Sequence, residues 1–154
     1  MNRSPDKPLN QIGNVLLLAR ASSVQLAREY VCAQLTLVGV PIPEDLEILT
    51  SELMTNAIKH SDSGRLPGFV RLRVFADQRM IRVSINDAGA KAGSVPRILP
   101  QADPMAENGR GLWLIQELSH QWGWMEDPTG RLVWFEMLTP RVPSSMSRRS
   151  DPMV

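Results

Sequence analysis

Glu52 and Asn56 stand four positions apart in the run Ser51-Glu52-Leu53-Met54-Thr55-Asn56-Ala57-Ile58-Lys59-His60. On a helix that spacing presents both heads to the same space. An asparagine carbonyl oxygen can hold a hard cation, and Mg2+ prefers few protein ligands, with phosphate oxygens and water completing its shell. A carboxylate nearby can act as general base toward a hydroxyl or a water. A solvated acid–amide pair on a helix face is the plain alternative.

Two further stretches add chemistry. Gly109-Arg110-Gly111 precedes an apolar run beginning at Leu112. Glycines there let backbone amides converge on an anion at a helix N-terminus, so the segment suits phosphate. A bare turn explains it equally well, and Arg110 either helps hold phosphate or is solvated. Asp87 shares strand parity with Ile81, Val83 and Ile85, so its carboxylate points to the face those residues bury. A carboxylate at the end of an apolar face is costly without a partner. The exocyclic amine of adenine is one such partner, and a simple strand-ending turn at Asp87-Ala88-Gly89 is the other explanation.

The elements that must position these groups follow from periodicity. Val15 to Ala19 reads as a strand; Arg20 interrupts it, and it is too short for a signal-peptide core. Ser22 and Gln25 have capping-box form, and Val24, Ala27, Val31, Leu35 and Val38 follow at helical spacing. Leu26, Tyr30, Ala33 and Leu37 widen that stripe, and Gly39 with Pro41 ends it. Pro43-Glu44-Asp45 opens a second helix, whose apolar arc is Leu46, Leu49, Leu53 and Ala57. Glu52, Asn56 and Lys59 fall on the flank of that arc, a position that neighbouring elements can cover while leaving it open to a cleft. Val70, Leu72, Val74 and Ala76, then Ile81, Val83 and Ile85, alternate as two strands about a turn at Asp77-Gln78. Residues 88 to 108 lack periodicity, which suits a lid or binding loop. A third helix runs from Leu112 to Ser119. Trp122–Met125 and Leu132–Leu138 form a closing hairpin across Asp127-Pro128-Thr129-Gly130.

With 154 residues the chain fits one domain: an arm at 1–10, a folded body at 11–139 and a tail at 140–154. A hydrophobic share of 43% and a net charge of +1 give no drive toward nucleic acid or acidic lipid. The lone Cys32 excludes an internal disulfide and fits a cytoplasmic protein. One cysteine and the isolated His60 and His120 cannot build a zinc site. No apolar run is long enough to span a membrane. Arg71, Arg73 and Arg82 share a strand face without an interleaved aromatic platform, so that face reads as solvated or as a patch for an acidic partner. Trp113, Trp122, Trp124 and Trp134 read as core and rim packing.

Taken together, these stretches resemble the gyrase, histidine-kinase and anti-sigma-factor superfamily of Bergerat-fold ATPases. Within it they look like the single-domain, anti-sigma-factor-like serine kinases frequent in actinomycetes. Residues 51–60 resemble that group's N box, and Asp87-Ala88-Gly89 its first glycine box. The run Glu107-Asn108-Gly109-Arg110-Gly111-Leu112-Trp113-Leu114-Ile115 resembles the second glycine box. The resemblance implies an α/β two-layer sandwich, with a mixed, mostly antiparallel sheet and helices on one face. It implies ATP and Mg2+ as cofactors, with Asn56 on the metal and Asp87 on adenine. Lys59, Gly89, Gly109, Arg110, Gly111 and Leu112 would complete the nucleotide site, and Glu52 would be the catalytic base. Its members bind a sigma factor and phosphorylate a serine on a small anti-anti-sigma partner. The alternative is a non-catalytic, nucleotide-gated module that sequesters a transcription regulator. One departure favours that alternative: the family's first glycine box reads Asp-x-Gly-x-Gly, whereas Lys91 stands at the last position and Gly93 is displaced. Lys91 and Arg97 are further candidates within the lid. The first two helices could support a homodimer.

Overall fold

In the computed structural model, residues 8–60, 68–88, 110–128 and 130–141 are described. Five strands form one sheet: β1 (Asn10–Leu18), β2 (Phe69–Ala76), β3 (Met80–Asp87), β4 (Gln121–Asp127) and β5 (Gly130–Leu138). Their order is β1-β2-β3-β5-β4. The expected sheet was mixed and mostly antiparallel; every pairing among the described strands is antiparallel. β1 starts at Asn10, paired with Ala76, so the body reaches into the stretch expected to be an arm.

Strand alternation sends Val70, Leu72, Val74, Ile81, Val83, Ile85, Val133 and Phe135 to one face, where all are buried. Helices α1 (Ser22–Leu37), α2 (Leu46–His60) and α3 (Arg110–Leu118) cover that face. α1 lies over β1 and β2, α2 over β3 and β5, and α3 beside α2 and β4. The predicted arc of α2 is fully committed to the core: Leu46, Leu49, Leu53 and Ala57 are buried, joined by Met54 and Thr50. Thr50 tolerates this because its hydroxyl donates to the Leu46 carbonyl at 2.8 Å.

Three local expectations need correction. The capping box does not form: Ala21 already has helical φ/ψ, no side chain caps the first turn, and Ser23 is buried. Ser22 is thus inside the helix, where a hydroxyl has no N-cap role. The stripe on α1 is also narrower than its apolar residues suggest. Ala27, Val31 and Leu35 are buried, while Leu26, Leu37 and Val38 face outward. Finally, Pro43-Glu44-Asp45 forms the turn before α2 rather than its first turn, with the Pro43 and Asp45 carbonyls accepting from the Leu46 and Leu49 amides. The predicted stop of α1 does operate. Gly39 takes φ +70°, and the Gly39 and Val40 amides donate to the Thr36 and Leu35 carbonyls in a Schellman closure.

On the opposite sheet face Arg71, Arg73 and Arg82 do share a side, but each is engaged. Arg71 donates to Asn14 at 2.9 Å and Arg73 to Asn86 at 3.1 Å. Arg82 pairs with the buried Glu136 and lies 5.0 Å over the Trp134 ring, so an aromatic does interleave there. The indole of Trp134 in turn fills the space above Gly123. Trp122 packs against the core, whereas Trp113 and Trp124 stand exposed, so these tryptophans divide between core and rim as expected.

Candidate functional site

Two of the sequence-distant stretches meet at the start of α3. A Cβ placed on Gly111 would lie 2.7 Å from Oε2 of Glu52. The absent side chain at Gly111 is therefore what lets the α2 carboxylate reach the first turn of α3. A helix N-terminus carries partial positive charge, so the carboxylate is favourably placed there. A phosphate would find the same field.

Asn56 lies one turn further along α2, partly covered. Its amide nitrogen is buried and has no hydrogen-bond partner among the described residues. Leaving such a donor unsatisfied costs about 1–3 kcal/mol, which marks the position as built for something else. A half-turn of the amide exchanges nitrogen for oxygen, so the head can offer a donor to a phosphate or a carbonyl oxygen to a cation. The group thus fits a Mg2+–nucleotide ligand. Lys59 is exposed at the outer end of the helix. Leu112 is buried in the core cluster, so its side chain packs rather than lines a cleft.

Asp87 ends β3 on the helix-covered face and is buried, as its parity requires. Its expected need for a partner has an answer within the chain. Arg131, directly across on β5, is fully buried and brings Nη2 to 3.6 Å from Asp87 Oδ2. That separation is an ion pair rather than a hydrogen bond, and Nε, Nη1 and Nη2 of Arg131 have no hydrogen-bond partner among the described residues. Gly130, the residue before it, has φ +146°, and a Cβ there would overlap the Asp87 carbonyl oxygen. So Gly130 and Arg131 together determine where Asp87 sits. Neither was singled out from sequence as a site residue. The signal was available: Arg131 shares parity with Val133, Phe135 and Met137, a cation on an otherwise apolar strand face.

Gly89, Gly109 and the lid candidates Lys91 and Arg97 lie outside the described residues. Arg110 is the first residue of α3. Cys32, the lone thiol, sits on α1 with Sγ 3.7 Å from Glu47 Oε1. Burial, and then the Glu47 carboxylate, push its pKa above the usual thiol value, the opposite of what a reactive cysteine needs.

With these positions established, a family model described as histidine kinase-like ATPase domain matches residues 17–137. The chain belongs to this family. The match takes in Glu52, Asn56, Asp87, Gly111 and Arg131, so the site is built within the histidine-kinase-like ATPase domain itself. The crystal structure of the RsbU and RsbW domains of Rv1364c from Mycobacterium tuberculosis is similar, with a TM-score of 0.58 at 14% identity. The alignment covers 84% of this chain and 33% of that one, so the chain spans about a third of its length. At this identity the likeness bears on the fold alone, and it agrees with the five-stranded sheet and one-sided helices. No curated protein matches.

Proposed function

We propose that this histidine-kinase-like ATPase domain binds ATP with Mg2+ and acts as a protein serine kinase and anti-sigma-type switch. In this reading it binds a sigma factor and phosphorylates a small anti-anti-sigma partner. The observation that carries the proposal is the meeting of Glu52 with Gly111, which unites an acid–amide helix face with a helix N-terminus suited to phosphate. Family membership supplies the nucleotide; the resemblance of the boxes to anti-sigma-factor-like kinases supplies the acceptor class.

Asn56 is the residue that would hold Mg2+, and the bound ion would neutralise phosphate charge. Glu52 would accept the proton of the attacking serine hydroxyl. The start of α3 would orient the phosphates through its backbone amides. Asp87 would accept a hydrogen bond from the adenine amine. Phosphoryl transfer needs mainly positioning and charge neutralisation, and a domain of this size can supply both.

A second reading, a nucleotide-gated binding module without turnover, is motivated by Lys91 in the altered first glycine box and by one structural feature. Asp87 already faces a buried guanidinium, so nucleotide must engage a group that the chain itself partly satisfies. The two readings part in one assay with labelled ATP, Mg2+ and a small anti-anti-sigma acceptor. The kinase reading expects serine labelling by wild type and a loss of at least about a hundredfold for Glu52→Ala, in line with the usual worth of a general base. Equal labelling by both proteins removes Glu52 as the base. Saturable ATP binding with no labelling leaves the binding module.

A further inference from the structure

Arg131 is the least satisfied side chain among the described residues. It is fully buried, three of its nitrogens lack a hydrogen-bond acceptor, and its guanidinium stands beside Asp87 on the sheet face beneath α2. The strand register fixes this arrangement, because Asp87 and Arg131 are direct partners on the adjacent strands β3 and β5. On the other flank, Glu126 of β4 is the register partner of the same arginine. The cation is therefore set between two acids along one row of the sheet. A structural ion pair alone would be expected to satisfy the guanidinium with close, paired hydrogen bonds. Here the Asp87 contact is too long for one, and the donors remain available to an acceptor that the described residues do not provide.

We infer that Arg131 is a base-reading residue, donating to a ring nitrogen of the purine beside the exocyclic amine that Asp87 accepts. This rests on the proposed ATP binding and adds a second point of recognition to it. Adenine carries its amine between two acceptors, N1 on one side and N7 on the other. An acceptor carboxylate and a donor guanidinium side by side on one surface match an amine and its neighbouring ring nitrogen. Guanine reverses the first contact, since its O6 would face the Asp87 carboxylate. Arg131 thus supplies specificity that a lone carboxylate lacks, because a carboxylate reads the amine only.

Nucleotide affinity of the full-length chain, measured by calorimetry with Mg2+, decides the matter through atom-deleted analogues. ATP is compared with its 1-deaza and 7-deaza forms, each lacking one candidate acceptor, and with GTP. The expectation is that one deaza analogue binds at least about tenfold more weakly than ATP, the weight of one good hydrogen bond. In Arg131→Met that analogue and ATP become equal. Arg131→Gln, which keeps a donor, restores part of the preference. Wild type binding both deaza analogues as well as ATP overturns the inference while leaving ATP binding intact. A deaza preference that persists in Arg131→Met also overturns it, since another group then reads the ring. If ATP itself does not bind, the proposed function fails first. Should Arg131→Met fail to fold, the wild-type comparison and Arg131→Gln still give the answer.

Discussion

Gly130 shows how a single residue can fix a binding group it does not touch through a side chain. Its φ of +146° lies in a region that side-chain-bearing residues rarely adopt, and the Asp87 carbonyl occupies the volume a Cβ would need. Gly130→Ala must either shift the start of β5 or push the end of β3 away. Such strain costs about 1–3 kcal/mol, and here it also moves the carboxylate proposed to meet adenine. Urea unfolding should report a loss of that size, and calorimetry a drop in ATP affinity beyond what the unfolded fraction explains. An alanine variant that unfolds and binds like wild type would mean the β3–β5 junction is more pliant than its geometry implies. The Asp87–Arg131 pair follows the same logic. Removing one member of a buried pair strands the other, typically at a cost of about 3–5 kcal/mol, so charge deletions here mix stability with binding. Backbone and atom-deleted-ligand experiments separate the two more cleanly.

Among the elements, α2 carries most of the site and was the most legible from sequence. Leu46, Leu49, Leu53 and Ala57 recur at helical spacing, and every one is buried, so Glu52 and Asn56 had to fall at the margin of the covered face. The strands were equally plain, because the alternation from Val70 to Ala76 and from Ile81 to Ile85 places Asp87 inward without further information. What sequence could not supply was registration between distant strands. Arg131 fell between the turn read at Asp127 to Gly130 and the strand started at Leu132; β5 begins at Gly130, and pairing with Asp87 makes its first residues part of the site. The α1 start misled for a different reason. Ser22 and Gln25 satisfy a pattern, but backbone dihedrals at Ala21 decide where the helix begins. Nor could spacing reveal that Glu52 meets Gly111, since that depends on how α3 packs against α2. This contact yields a test at the element scale. In Gly111→Ala the added methyl displaces the Glu52 carboxylate or parts the two helices. A catalytic group misplaced by about 1 Å can lose about a hundredfold in rate, while ATP affinity should change less than about threefold. Serine labelling and calorimetry on the same protein measure both. A proportional fall in rate and affinity would mean that the start of α3, proposed to orient the phosphates, shifts together with the carboxylate, and that the Glu52 contact is not the methyl's main target.

For the whole molecule, two anchors define what must stay together. β1 pairs along β2 from Asn10 to Leu18, closing one edge of the sheet, and Thr139 ties the end of β5 to the β2–β3 turn. That turn is itself fixed by Asp77, whose carboxylate accepts the Arg79 and Met80 amides. Thr139 donates through its amide to Arg79 and through its hydroxyl to Gln78. Among the described residues no helix is long and apolar enough to cross a membrane. Among the described residues, the Asn56 amide nitrogen and the Arg131 guanidinium nitrogens are buried without a hydrogen-bond partner, and both groups sit on the helix-covered side of this frame. An unliganded domain therefore bears their desolvation cost, and a ligand that satisfies them should stabilise the entire fold, not only the cleft. Mass action sets the scale: ligand at a hundred times its dissociation constant adds about 2.7 kcal/mol. For a chain of this length that corresponds to a rise on the order of 5–10 °C in Tm. ATP with Mg2+ should produce such a rise, and the midpoint should keep climbing as ligand concentration increases. Mg2+ alone should produce little, because one amide oxygen is a poor site without phosphate oxygens beside it. A melting temperature unmoved by millimolar ATP and Mg2+ would mean the two orphaned groups are tolerated defects of the core, and the nucleotide reading would fall with them.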